Sequence, residues 1–234
     1  MTARESEIIE LIRKEVKPAL GCTEPIAVAL AVAKAMEIME DRCGISDPDW
    51  RTKDCYSLRI EVSGNILKNG MGVGIPGTGM VGLHIAAALG AVCGKSEYGL
   101  EVLNDLNDAS ITRAKEMVEA QSVTIGLAET SHKLYVKAYA DSKDGHTSYA
   151  LIQDNHDSII ETGFDGEVLS SLADDNCQET ADQKTTLDYH LTVKEIVEFA
   201  STVAYEDIEF ILESRTLNLA LAHEGMKGCY GLKV

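Results

Sequence analysis

From Ile26 to Met39 the chain reads IAVALAVAKAMEIM, apolar almost all the way round a helix. A helix that is hydrophobic on every side has to be covered on every side, so this run predicts a central, buried helix. The residues before it spell a helix start. Pro25 suits the first turn, where its missing N–H costs nothing. Thr23 is placed to cap, and Glu24 puts negative charge at the positive end of the helix dipole. Lys34 and Glu37 interrupt the run, which is too short and too broken to read as a membrane span.

Cys22 lies directly outside that helix start. Backbone N–H groups there lower a thiol pKa and favour a metal-bound thiolate. The plainer alternative is that Cys22 fills space, since free cysteine is among the most buried residue types. The other cysteines are Cys43, Cys55, Cys93, Cys177 and Cys229. None forms a CxxC pair, and their spacings fit no zinc-finger pattern. Cys43 and Cys55 flank a loop and could pair on oxidation, although thiols in a cytosolic protein stay reduced.

The 234 residues carry 38 acidic and 21 basic side chains, a net charge of −17. That balance argues against nucleic acid and anionic membrane surfaces as partners, which demand basic patches. The charged N-terminus, MTARESE, does not read as a signal peptide, so a cytoplasmic location is expected.

Periodicity divides the chain into a helical region over 1–122, with the Cys22 segment and a glycine-rich loop, a strand region with an acidic excursion over 123–190, and C-terminal helices over 191–234. Helices are predicted over 5–16, 25–40, 83–92, 100–120, 192–203 and 205–222. Thr192 and Glu195 form a capping box. A strand is predicted over 56–62, and short strands over 123–127, 133–140, 147–153 and 158–162, with turns at Asp144-Gly145 and Asn155-His156. Residues 164–184 read as irregular. The expected fold class is α+β, helices flanking an antiparallel meander.

Residues 69–82, NGMGVGIPGTGMVG, contain GxGxxG twice. The dinucleotide reading is weak, because Pro76 interrupts the first match and no parallel strand is evident after the next helix. Two readings stay open. The loop could hold an anion such as an amino-acid carboxylate, with Thr78 as a hydroxyl donor. Alternatively its glycines let the Ala86-Ala87-Ala88 helix approach its neighbours. Lys68 and Asn69 beside the loop could contact substrate or merely form the turn. The histidines, His84, His132, His146, His156, His190 and His223, are scattered, and no HExxH is present.

Three segments, EVKPALGCTEP (15–25), NILKNGMGVGIPGTGMVGLHIAAALG (65–90) and LNLALAHEGMKGCYGL (217–232), resemble the L-cysteine desulfidase family, a relative of the α chain of iron–sulfur L-serine dehydratases. The resemblance implies α,β-elimination of L-cysteine to pyruvate, ammonia and hydrogen sulfide on a 4Fe–4S cluster held by three cysteines. It implies that Cys22 is a cluster ligand and potentially a base, with Asn65, Lys68, Asn69, Thr78 and Gly79 as substrate contacts. It also implies that the remaining ligands lie in a further half, or a second chain, beyond this N-terminal portion. Cys43, Cys55, Cys93, Cys177 and Cys229 match none of them. Alone, the chain is therefore expected to be inactive, since one thiolate cannot replace three. A serine dehydratase-like deaminase and a non-catalytic module that binds a small amino acid are the alternatives, and the sequence leaves a homo-oligomer open.

Overall fold

A computed structural model describes residues 2–171 and 190–227. They fall into two compact units, one of residues 19–171 and one of residues 2–18 with 190–227.

The larger unit is built on helix α2 (Thr23–Cys43); α1 (Ala3–Glu15) belongs to the smaller unit. After α2 come β1 (Tyr56–Val62), α3 (Gly64–Gly70), α4 (Leu83–Cys93), α5 (Asp108–Glu119) and β2 (Val123–Leu127). Strands β3 (Tyr135–Ser142), β4 (Thr147–Gln153), β5 (Ile159–Phe164) and β6 (Glu167–Ser171) follow. The sheet order is β2-β1-β3-β4-β5-β6, parallel between β1 and β2 and antiparallel elsewhere. The class is α+β, as the periodicity predicts.

Helix α2 is buried on all sides because it packs against α4 and against β3, β4 and β5. Its residues Pro25 to Ala33, with Ala35, Met36, Ile38 and Met39, are covered. The polar interruptions form one edge. Glu37 accepts hydrogen bonds from the Ser96 amide (2.7 Å) and hydroxyl (2.5 Å). Glu40 takes a two-pronged contact from Arg51 (2.6 and 2.5 Å), whose third nitrogen donates to the Gly94 carbonyl. Under the helix the sheet presents Leu58, Ile60, Val62, Val136, Ala138, Ala140, Ala150 and Ile152, alternating along each strand. The alanines keep that face low, and the Ser148 hydroxyl donates to the Ala35 carbonyl at 2.6 Å.

Helices α2 and α4 meet closely. A Cβ on Gly90 would lie 2.4 Å from the Ala29 carbonyl oxygen, and one on Gly94 would lie 2.8 Å from the Ala33 Cβ. The close approach of the small-residue helix thus rests on Gly90 and Gly94, which lie outside the glycine-rich loop of residues 69–82. On the other sheet face Arg59 lies 3.7 Å from the Tyr139 ring centre and Lys137 4.2 Å from that of Tyr149. The Tyr149 hydroxyl donates to Glu161 at 2.8 Å, and its ring covers Gly163.

Several expectations change. Strand β2 does not open the meander; it lies at the sheet edge, parallel to β1, after a crossover through α3, α4 and α5. Short α3 stands in a stretch for which the periodicity predicts no helix. The helix over 100–120 resolves into a 3-10 turn at Ser96–Glu101 and then α5, because Asn107 and Ser110 form a capping box that starts a new helix. Residues 167–171 are strand rather than irregular, turned by Asp165 and Gly166 at positive φ. The rest of the acidic excursion, including Cys177, lies outside the described residues, as does Cys229.

The smaller unit holds α1, α6 (Val193–Thr202), α7 (Tyr205–Ile208) and α8 (Leu212–Lys227). Thr2 with Glu5 and Thr192 with Glu195 form capping boxes. Arg4 joins α1 to α6 through Glu195, and Arg13 lies 3.8 Å from the Phe210 ring centre. Among the described residues no helix is long and apolar enough to cross a membrane.

The α2–α4 contact sets the stability of the larger unit. Gly90→Ala favours helix locally by about 1 kcal/mol, yet the clash should lower unfolding free energy by about 1–3 kcal/mol, read from the urea midpoint. Gly72→Ala, where an added Cβ meets nothing within 4 Å, should change it by less than about 0.5 kcal/mol. Equal midpoints for both variants would disprove the contact's role.

Candidate functional site

Two of the segments singled out in the sequence meet at one cleft. Leu20, Cys22, Pro25 and Ile26 form one wall, and Val73, Gly74, Ile75 and Pro76 face them. Ala86 and Leu103 complete a small depression.

Cys22, not Thr23, is the N-cap residue of α2, after Gly21 at φ +118°. It is exposed, which removes the space-filling reading. Its Sγ donates to Glu24 Oε2 at 2.8 Å, and Asn69 Nδ2 of α3 donates to Glu24 Oε1 at 3.1 Å. The thiol of one motif and the amide of the other thus grip a single carboxylate.

The electrostatics run against the expectation from helix position alone. Partial burial pushes the Cys22 thiol up, and the Glu24 carboxylate pushes it further; the Glu24 and Thr23 amides oppose this and lose. Glu24 is held below the usual carboxylate range, first by the Cys22 thiol, with Asn69 and the charge of His156 also contributing. The pair at rest is a thiol beside a carboxylate.

The glycine-rich segment folds back on itself as a ribbon. Ile75 N donates to Met80 O (3.0 Å), Gly82 N to Val73 O (2.9 Å) and Thr78 N to Ile75 O (3.2 Å). The Thr78 hydroxyl is buried, donates to Ile75 O at 2.7 Å and accepts from Met80 N at 3.0 Å. It is an internal brace, not a hydroxyl turned towards a ligand. Gly79, at φ +67°, is exposed at the tip and makes the bend. Asn65 and Lys68 stand exposed on α3, Asn65 one turn before Asn69. The dinucleotide reading fails on context: a parallel strand does follow, but α3 separates β1 from the glycines, so no strand runs directly into them.

Sequence reasoning missed Glu24 as a member of the site. Glu24 was explained by the helix dipole, and its two-residue spacing from Cys22 was the available signal.

A 4Fe–4S cluster needs several thiolates. Cys43 lies at the far end of α2 from Cys22, about 30 Å along 21 residues. Cys93 ends α4 and donates to Leu89 O, and Cys55 lies against the Trp50 carbonyl. Among the described residues no three His, Cys, Asp or Glu side chains are placed to hold a metal. The donors among the described residues do not fit a whole cluster site.

Fold and cleft together define an α+β protein with a surface thiol–carboxylate pair beside a glycine-rich ribbon. Over nearly its whole length the chain is a homologue of proteins named UPF0597. The one from Phocaeicola vulgatus is 43% identical over 227 residues, 96% of this chain and 48% of its own length. That from Parabacteroides distasonis is 44% identical over 232 residues, 98% and 50% of the two chains. That from Shewanella halifaxensis is 41% identical over 232 residues, 97% and 51%. The chain thus spans about half the length of the curated relatives it matches. No family model and no solved structure matches it.

Removing the Glu24 charge should release the thiol. In Glu24→Gln the Cys22 pKa should fall, because a nearby negative charge no longer penalises the thiolate. Iodoacetamide labelling of Cys22 at pH 8 should then run several-fold faster than in the parent chain. An unchanged rate–pH profile would refute the coupling.

Proposed function

We propose that this chain is one half of an α,β-eliminating lyase that converts L-cysteine to pyruvate, ammonia and hydrogen sulfide in the cytoplasm. The observation that carries the reading is the convergence of Cys22 and Glu24 with Asn69 and the glycine ribbon. Those are the two segments with the strongest resemblance to the iron–sulfur desulfidases, and they are separate in sequence. With serine the same reaction expels water instead of hydrogen sulfide.

Elimination removes a proton from Cα while the Cβ–S bond breaks; the resulting enamine hydrolyses to pyruvate and ammonia. Glu24 is an ionised acceptor held in place by Asn69 and in contact with a thiol, the arrangement a proton transfer needs. Lys68, on the same short helix as Asn69, supplies a positive charge for the substrate carboxylate. Thr78 and Gly79 act by shaping the ribbon wall. Cys22 offers one ligand to a 4Fe–4S cluster, and the other thiolates have to come from further polypeptide, so no step is assigned to that group.

Anaerobic reconstitution with iron and sulfide tests this. The full-length Parabacteroides distasonis relative should release sulfide and pyruvate in equal amounts from L-cysteine. This chain alone should release neither, and Cys22→Ser should bind less iron than the parent chain. Sulfide release by this chain alone would overturn the half-site. A reconstituted relative inert towards both cysteine and serine would overturn the lyase.

A further inference from the structure

The smaller unit carries an unusual distribution of apolar side chains. None of the residues of α6, α7 or α8 is buried. On α6, Val193 (78% exposed), Ile196 and Val197 form a single stripe at helical spacing. Helix α8 differs. At about 100° per residue, Leu212, Leu219 and Met226 (83% exposed) share one side, while Leu217 and Leu221 (73% exposed) share the opposite side. Exposed apolar residues scattered singly need no explanation, but opposed rows on one helix do. One neighbouring layer covers one row and leaves the other in water. Such a helix is stable only between two layers, as α2 is in the larger unit.

We infer that α8 is an interior helix of a larger fold, and that polypeptide of the kind forming the other half of the relatives packs on it. Two observations select that occupant. The relatives are about twice as long as this chain, so a second body of comparable size accompanies the homologous region. A second copy of this chain would bring another net charge of −17 towards the first, which opposes self-association. The acidic residues of α8, Glu213 and Glu224, are balanced by Arg215 and Lys227, so the helix itself adds no net charge against such a contact. This inference does not depend on the lyase reading.

Amide hydrogen exchange decides it. Exchange over 193–227 is followed in this chain at low and high concentration, and in a chimera in which this chain replaces the homologous half of the Parabacteroides distasonis protein. Exchange there should be at least tenfold slower in the chimera than in the chain alone. Leu217→Lys with Leu221→Lys, and separately Leu212→Lys with Leu219→Lys, should each restore fast exchange in the chimera while α2 and β1 stay protected. Slow exchange in the chain alone at every concentration would mean that the chain itself covers α8, and slowing with concentration would mean a second copy. Fast exchange in the chimera would mean that the other half does not pack there. Each of these overturns the inference.

Discussion

The close approach of α2 and α4 governs the larger unit. At Gly90 the backbone of one helix lies within van der Waals reach of the other, leaving no room for a side chain between them. Small residues here do more than fill space. They set the axial alignment, with Gly90 level with Ala29 and Gly94 level with Ala33, so the helices run in the same direction. Their N-termini therefore lie together. Gly82 starts α4 at φ +96°, where a Cβ would meet the Met71 carbonyl oxygen at 3.1 Å. The ribbon ahead of α4 is consequently held beside the start of α2, and the cleft at Cys22 follows from helix packing about two to three turns away.

Within that cleft, several influences compete for one proton. Helix amides at the start of α2 favour a Cys22 thiolate, as position alone suggests. Partial burial and a carboxylate in direct contact favour the thiol, and they prevail. The same contact stabilises the carboxylate, so Glu24 is ionised and the Cys22 proton stays on sulfur. A cation arriving at sulfur would reverse the balance, since a coordinated thiol is deprotonated outright. The resting state is thus set against a free thiolate without preventing a ligated one.

The sequence made the central helix legible because its signal is local and redundant: an all-round apolar run and a proline-marked start. The hairpin strands from β3 to β5 were equally readable, since each pairs with its chain neighbour. What escaped was non-local. Nothing in Val123–Leu127 says that it crosses back to lie parallel to β1, because parallel pairing is specified by the packing of the helices between. At the site, Cys22 was visible as a thiol at a helix start, whereas its dominant partner was hidden by a competing explanation. Glu24 suits a helix N-terminus so well that its second contact left no trace in composition. Asn69 was visible as a polar residue beside glycines, but its target lies 45 residues earlier.

The glycine-rich ribbon shows how one composition serves opposite ends. A phosphate-binding loop keeps its amides unpaired and aims them at the ligand. Here the amides of Ile75, Thr78, Met80 and Gly82 are already satisfied within the ribbon or by the Thr78 hydroxyl. Positive φ at Gly77, Gly79 and Gly82 lets the chain reverse tightly enough to make those bonds. A Cβ at Gly82 would crowd the Met71 carbonyl oxygen at 3.1 Å, on a backbone whose φ of +96° L side chains rarely adopt. The glycines therefore act through backbone geometry: they make a thin, internally bonded wall that stands against Cys22 without filling the space in front of it.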